Sequence, residues 1–404
     1  MSSQKTQQKV RKRRVFYIPG YDPIHPRRYR ELYRKEGHLQ SKISGYEIAV
    51  SARSGDGPYG WHVTSRQEGV DTETDVEVLV WSDIVRDSMA RSIGATYLQL
   101  AQTAWIYIST GVLWRLMRLR KGPVIAALYP VGMLLLQLLI AVFAAWGVFA
   151  VLTMFVGWIA LLPALIAAYA LLNWFRKIDN RLFAYYLMHD YAHSARHWGE
   201  TSPEMCARLA EFKSLIAQAL SSGADEVLVV GHSSGAHLGV SVLADLLRDQ
   251  KYKVKGPTLS FLTLGQVVPM VSFLPKADQL RSDLSFLSKR TELTWIDVSA
   301  PGDGCAFALC DPVSVSGVAG PEKRWPLVLS AAFTQTLSPA RWQELRWRFF
   351  RLHFQYLCAF DRPGDYDYFR ITAGPETLSE RFDGRAPSKS RIDVSVSKYT
   401  SVAA

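Results

Sequence analysis

Cysteine is scarce in this 404-residue chain. Cys206, Cys305, Cys310 and Cys358 are its four copies, and none belongs to a Cys-x-x-Cys pair. That spacing excludes a disulfide framework and a cysteine zinc site, and it fits reduced thiols in a cytosolic compartment. No P-loop and no dinucleotide fingerprint is present, so no phosphate-cradling cofactor is implied. The basic N-terminus runs into the short stretch VFYIPG with no long apolar segment behind it, so no secretory signal peptide is expected. No nucleic-acid-binding signature accompanies the formal net charge of +11. Nucleic acid is therefore not an expected partner, and no cofactor or metal is expected.

Charge is missing altogether from one long stretch: residues 122–175 hold no Asp, Glu, Lys or Arg. As one helix it would reach about 80 Å, against a bilayer hydrocarbon core of about 30 Å. The mismatch predicts a transmembrane hairpin of two spans, residues 125–146 and 151–173, with a tight turn near Gly147. A soluble helical pair would show a polar face, which is absent here. Tyr129 and Trp174 are placed as interfacial anchors. Arg115, Arg118, Arg120 and Lys121 precede the stretch, and Arg176, Lys177 and Arg181 follow it. The positive-inside rule then puts both flanks, and with them both termini, in the cytoplasm. The lipid bilayer is an expected partner, and an integral protein of the cytoplasmic membrane is the expected localisation.

The rest of the chain is polar enough for a soluble domain. Residues 1–14 read as a disordered basic arm and 376–404 as a disordered polar tail. Strands are predicted at residues 15–18, 46–51, 76–81, 226–230, 259–264, 293–298 and 368–372, and helices at 28–35, 83–91, 203–221, 236–248 and 339–358. Residues 95–119 read as an interfacial or buried helix. This alternation predicts an α/β fold with a mostly parallel sheet and helices on both faces. Residues 15–94 and 176–375 form its two parts, and residues 95–175 are the membrane insertion that interrupts it.

One motif carries chemistry. Gly231-His232-Ser233-Ser234-Gly235 matches G-x-S-x-G, with EVLVV before it and AHLGVSVLADLLRD after it. Strand, sharp turn and helix are the context in which such a serine is exposed at the carboxyl edge of a sheet. On these residues the chain resembles the α/β-hydrolase superfamily, on its lipase/esterase side. The resemblance implies Ser233 as nucleophile, followed in chain order by an acid and a histidine. His353, in RLHFQYL, is the only histidine after every acid candidate, whereas His237 sits one turn along the elbow helix as a packing residue. Its place before the strand predicted at 368–372 is unusual for the base. Asp297, Asp303 and Asp311 compete as the acid, and Asp303 is chosen because SAPGDG follows a predicted strand. Two backbone N–H donors are needed for an oxyanion hole. Ser234 supplies one by its place, and Tyr21, after the strand ending Pro19-Gly20, is the candidate for the second. His189, His193 and His197 would share a helix face, but titratable surface near the membrane is the reading preferred to a metal site. The expected activity is a membrane-anchored serine hydrolase cleaving an acyl ester, lipid-like and of medium or long chain, through an acyl-serine. The alternatives are a non-catalytic membrane scaffold and an acyltransferase.

Overall fold

The computed structural model describes residues 9–55, 57–89, 92–249 and 256–403. Residues 1–8 of the expected N-terminal arm, residues 90 and 91 at the expected end of the second helix and residue 404 of the expected tail lie outside the described residues. The strands are β1 (Lys12–Ile18), β2 (Glu47–Ala52), β3 (Gly60–Gln67), β4 (Val70–Val78), β5 (Glu226–His232), β6 (Thr258–Leu264), β7 (Leu293–Ser299) and β8 (Leu327–Ser330). They form one eight-stranded sheet in the order β2-β3-β4-β1-β5-β6-β7-β8. From β4 to β8 every pair is parallel, and β2, β3 and β4 form an antiparallel edge. The chain is thus an α/β protein with a mixed, mostly parallel sheet.

Strand alternation distributes the apolar residues to two faces. Val15 and Tyr17 of β1, with Leu228 and Val230 of β5, join one core with Tyr29, Phe333, Tyr356 and Phe369. Phe16 and Ile18, with Val227 and Val229, join the other with Phe212, Ile216, Leu243 and Leu284. The helices that supply these layers and the insertion are α1 (Arg27–Ser44), α2 (Ser82–Met89), α3 (Ile93–Ser109), α4 (Val112–Leu119), α5 (Lys121–Val156), α6 (Leu161–Lys177), α7 (Asp179–Leu182), α8 (Ala184–Ala195), α9 (Pro203–Ala219), α10 (Gly235–Arg248), α11 (Val268–Ser272) and α12 (Asp278–Leu287).

Lys121–Lys177 is the one helical run among the described residues long and apolar enough to cross a membrane. It departs from the expected pair of spans meeting near Gly147. Helix α5 continues through Gly147, and the chain breaks only at Gly157, where φ is +60°. A glycine inside an apolar helix leaves the backbone bonds intact, whereas a left-handed residue ends the ladder. The apolar side chains of the run are bared: Met154, Phe155 and Trp158 are each at least 80% exposed.

The tail corrects a second expectation. Residues 376–403 pack on the domain through backbone bonds: Ser388 N donates to Val328 O, Ile392 N to Leu309 O and Val396 N to Val315 O. Part of the expected N-terminal arm is likewise built in, since β1 begins at Lys12 and Arg13 is buried. The Arg13 guanidinium meets Glu226 at 2.6 Å and donates to Gly374 O at 2.7 Å, so a paired buried charge ties the first strand to the last segment.

Candidate active site

All seven residues of β5 are buried, and the chain leaves the strand through Ser233 at φ +56°. A non-glycine residue adopts that conformation only when its surroundings enforce it. Here Ser233 N donates to Leu264 O at 2.9 Å, and Ala236 N to Ser233 O at 3.1 Å. Gly235 then starts α10 so close to β1 that a Cβ would collide with the carbonyl oxygen of Ile18. Gly20 approaches from the other side, where a Cβ would lie 2.9 Å from Ser233 Cβ and 3.4 Å from its Oγ. The sequence motif is therefore a strained turn held between β1, β6 and α10.

The geometry separates the three candidate acids. Asp303 Oδ2 lies 2.7 Å from His353 Nδ1, and it also accepts from Tyr356 OH at 3.0 Å. Its Oδ1 accepts from Cys305 N at 2.9 Å. Burial alone would raise the Asp303 pKa, but facing His353 and these bonds outweigh it and hold the carboxyl below the usual range. The ionised carboxylate accepts from Nδ1, which leaves Nε2 as the basic nitrogen of His353. Asp297 instead lies inside β7 and accepts from Thr263 Oγ1 at 2.6 Å. Asp311 caps the short helix Pro312–Val315, taking Val313 N and Ser314 N, and pairs with Lys323 at 2.6 Å. Only Asp303 meets the histidine.

Two further corrections concern the base. The predicted helix at 339–358 is broken into Pro339–Leu345, Phe349–His353 and a tight turn, Phe354–Leu357. The segment predicted as a strand at 368–372 is a helix, Tyr368–Ala373, because the Asp367 side chain caps Phe369 N and Arg370 N. The last strand is β8, so His353 follows the whole sheet, and the unusual order expected from the sequence disappears.

His232 and Tyr356 were not singled out in the sequence. Burial, reinforced by His353, pushes the His232 pKa down to about 3, so the ring is neutral. Its Nε2 donates to His353 O at 3.0 Å, and its Nδ1 accepts from Tyr17 OH at 3.3 Å. The elbow thereby grips the backbone of the candidate base. Tyr356 links Asp303 to the main chain, since its hydroxyl also accepts from Ala300 N at 3.0 Å. His232 stands at a variable position of the motif, so no sequence pattern marks it.

Gly20, Tyr21, Ser233, Ser234 and His353 line one cavity of about 90 Å³. Tyr21 is fixed there by Tyr186, whose hydroxyl donates to Tyr21 O, and by a bond between its own hydroxyl and Ser88. The apolar run contributes to the wall: Pro123 lines the cavity, and a Cβ on Gly122 would lie 3.4 Å from Gly304 Cα. Arg120 Nε donates to Ala308 O at 2.8 Å, rooting the same helix on the acid's loop.

The three histidines do not converge. Helix α8 ends at Ala195, before His197, and His189 Nδ1 lies 2.9 Å from Gln99 Oε1. Among the described residues, the one set of potential metal ligands within 4.8 Å of one another is Asp303, Cys305 and His353. Burial pushes the Cys305 thiol well above its ordinary value.

Fold and site together define an α/β protein whose sheet is compatible with the α/β hydrolases and whose elbow serine, histidine and aspartate stand at its carboxyl edge. Comparison with protein-family models, curated proteins and solved structures finds no match for this chain.

Proposed function

We propose that this protein is a membrane-anchored serine hydrolase of the α/β-hydrolase type that cleaves an acyl ester. The observation that carries the reading is the His353–Asp303 bond of 2.7 Å in a site where His353 and Ser233 line one cavity. In this reading His353 Nε2 removes the Ser233 proton as Oγ attacks the ester carbonyl. Backbone N–H groups of Ser234 and Tyr21 stabilise the oxyanion. The C–O bond breaks, the alcohol leaves with the proton from His353, and water then hydrolyses the acyl-serine.

Membrane anchorage is supported by the bared side chains of Lys121–Lys177. Leaving each large apolar side chain in water forgoes roughly 1.5–3 kcal/mol, and soluble monomers rarely carry such patches. The reading takes α5 and α6 as two spans, supported by their packing against each other and the break at Gly157. Basic flanks at Arg115–Lys121 and Arg176–Arg181 then favour a cytoplasmic domain. The test is turnover of p-nitrophenyl acetate by the full chain in detergent or nanodiscs. Ser233→Ala should reduce it by several orders of magnitude. Equal turnover in the variant rejects the hydrolase reading.

A further inference from the structure

A second cavity, of about 450 Å³, adjoins the first and shares Tyr21, Asp190, Ser194 and Ser234 with it. It therefore reaches the two candidate oxyanion donors. Its size is that of a small-molecule site, but its lining is not the usual apolar one. Ser88, Ser194, Ser241, His193 and His237 line it, the Ser88 hydroxyl being bonded to Tyr21 OH and Val85 O and the Ser241 hydroxyl to Asp283. Burial pushes both imidazoles down to about 4, so each presents one donor and one acceptor and no charge. Trp81 and Tyr21 add aromatic surface, their ring centroids 6.0 Å apart and 5.9 and 5.6 Å from His193. Asp87, Asp190, Glu200 and Glu204 also line it against Arg196, which disfavours an anionic ligand.

We propose that this cavity binds the alcohol portion of the substrate, and that this portion is an uncharged polyol such as a sugar or glycerol unit. The inference rests on the serine-hydrolase reading. Neutral donors and acceptors around aromatic faces match hydroxyl groups, whereas an anionic head would be buried against carboxylates. Reaction breaks the acyl C–O bond, the polyol oxygen takes the proton from His353, and the freed polyol occupies the larger cavity.

The test compares kcat/KM of the full chain on four acetates: p-nitrophenyl acetate, methyl glucoside monoacetate, glycerol monoacetate and acetylcholine. A fifth arm presents an acetylated glycosyl lipid in vesicles. The expected order has a polyol acetate above acetylcholine, and the soluble and vesicle arms decide where the polyol resides. His237→Leu and Ser194→Ala should each lower the polyol-to-p-nitrophenyl ratio about tenfold, the loss of one or two hydrogen bonds. Fluorophosphonate labelling of each variant reports an intact Ser233. Labelling with an unchanged ratio in both variants, or a preference for acetylcholine, overturns the polyol assignment while leaving the hydrolase reading in place. Absence of labelling in the unmodified protein overturns that reading instead.

Discussion

Asp303→Asn is the substitution that most sharply isolates the arrangement at the elbow. The carboxylate accepts three bonds, from His353 Nδ1 at 2.7 Å, Tyr356 OH at 3.0 Å and Cys305 N at 2.9 Å. An amide keeps the volume but must point either its carbonyl or its NH₂ at His353. With NH₂ towards Nδ1, the imidazole is forced into the tautomer that carries its proton on Nε2, and it can no longer accept from Ser233. With the carbonyl towards Nδ1, the NH₂ meets the Cys305 N–H, donor against donor. Either way the imidazolium loses its buried counter-charge. The expected fall in kcat is about 10³–10⁴-fold, or roughly 4–5 kcal/mol of transition-state stabilisation. Asp311→Asn is the control. It weakens a helix cap and the pair with Lys323, so it should cost about 1 kcal/mol of stability and leave kcat within a few-fold. Steady-state turnover of a p-nitrophenyl ester, with thermal unfolding in the same detergent, measures both. Comparable kcat losses in the two variants, or more than a tenth of the activity left in Asp303→Asn, would refute the assignment of the acid.

Three other outcomes follow from named contacts. His232→Phe removes the donor to His353 O and strands that buried carbonyl, at a cost of about 1–3 kcal/mol; kcat should fall about tenfold or more with KM little changed, and a fall in KM-controlled binding alone contradicts the gripping role. Burial lifts Asp297 to about 7, the Thr263 bond only partly offsetting it. Its folded pKa lies above the unfolded value of about 3.9, so its contribution to stability is whole below about pH 4 and is lost as pH rises through about 7. Asp297→Asn should therefore flatten the decline in melting temperature between pH 5 and 8, and parallel curves for both proteins contradict it. A single cysteine placed at position 157, in a background without the native cysteines, should be labelled only from outside sealed cells, and one placed in either tail only after permeabilisation; an outside label on either tail contradicts the two-span topology.

Much of the sheet and the candidate site was legible because it rests on contiguous, strongly patterned sequence. The strand VLVV, the glycines of the elbow and the apolar helix behind it identify themselves by local composition. The order of Ser233, Asp303 and His353 was readable for the same reason: each lies at the end of, or beyond, a recognisable element. What was not legible depends on partners distant in sequence. Strand β3 is polar on its exposed side, and β8 is only four residues long. The aromatic alternation around Tyr368 imitates a strand, and only the Asp367 side chain turns it into a helix. The tail has the composition of disorder, yet Arg13, Leu309 and Val315 hold its backbone from far upstream. Gly147 looked like the natural turn, but the left-handed residue is Gly157, a distinction no composition carries.

The central claim is that Ser233 is an activated nucleophile. Its most direct measurement is reaction of the full-length protein with a fluorophosphonate, followed by mass spectrometry of the digested adduct. The account predicts a single phosphonylated serine at position 233, with the rate of its formation cut by orders of magnitude in His353→Ala. No adduct, an adduct on another serine, or labelling of Ser233 at an undiminished rate in His353→Ala would contradict it.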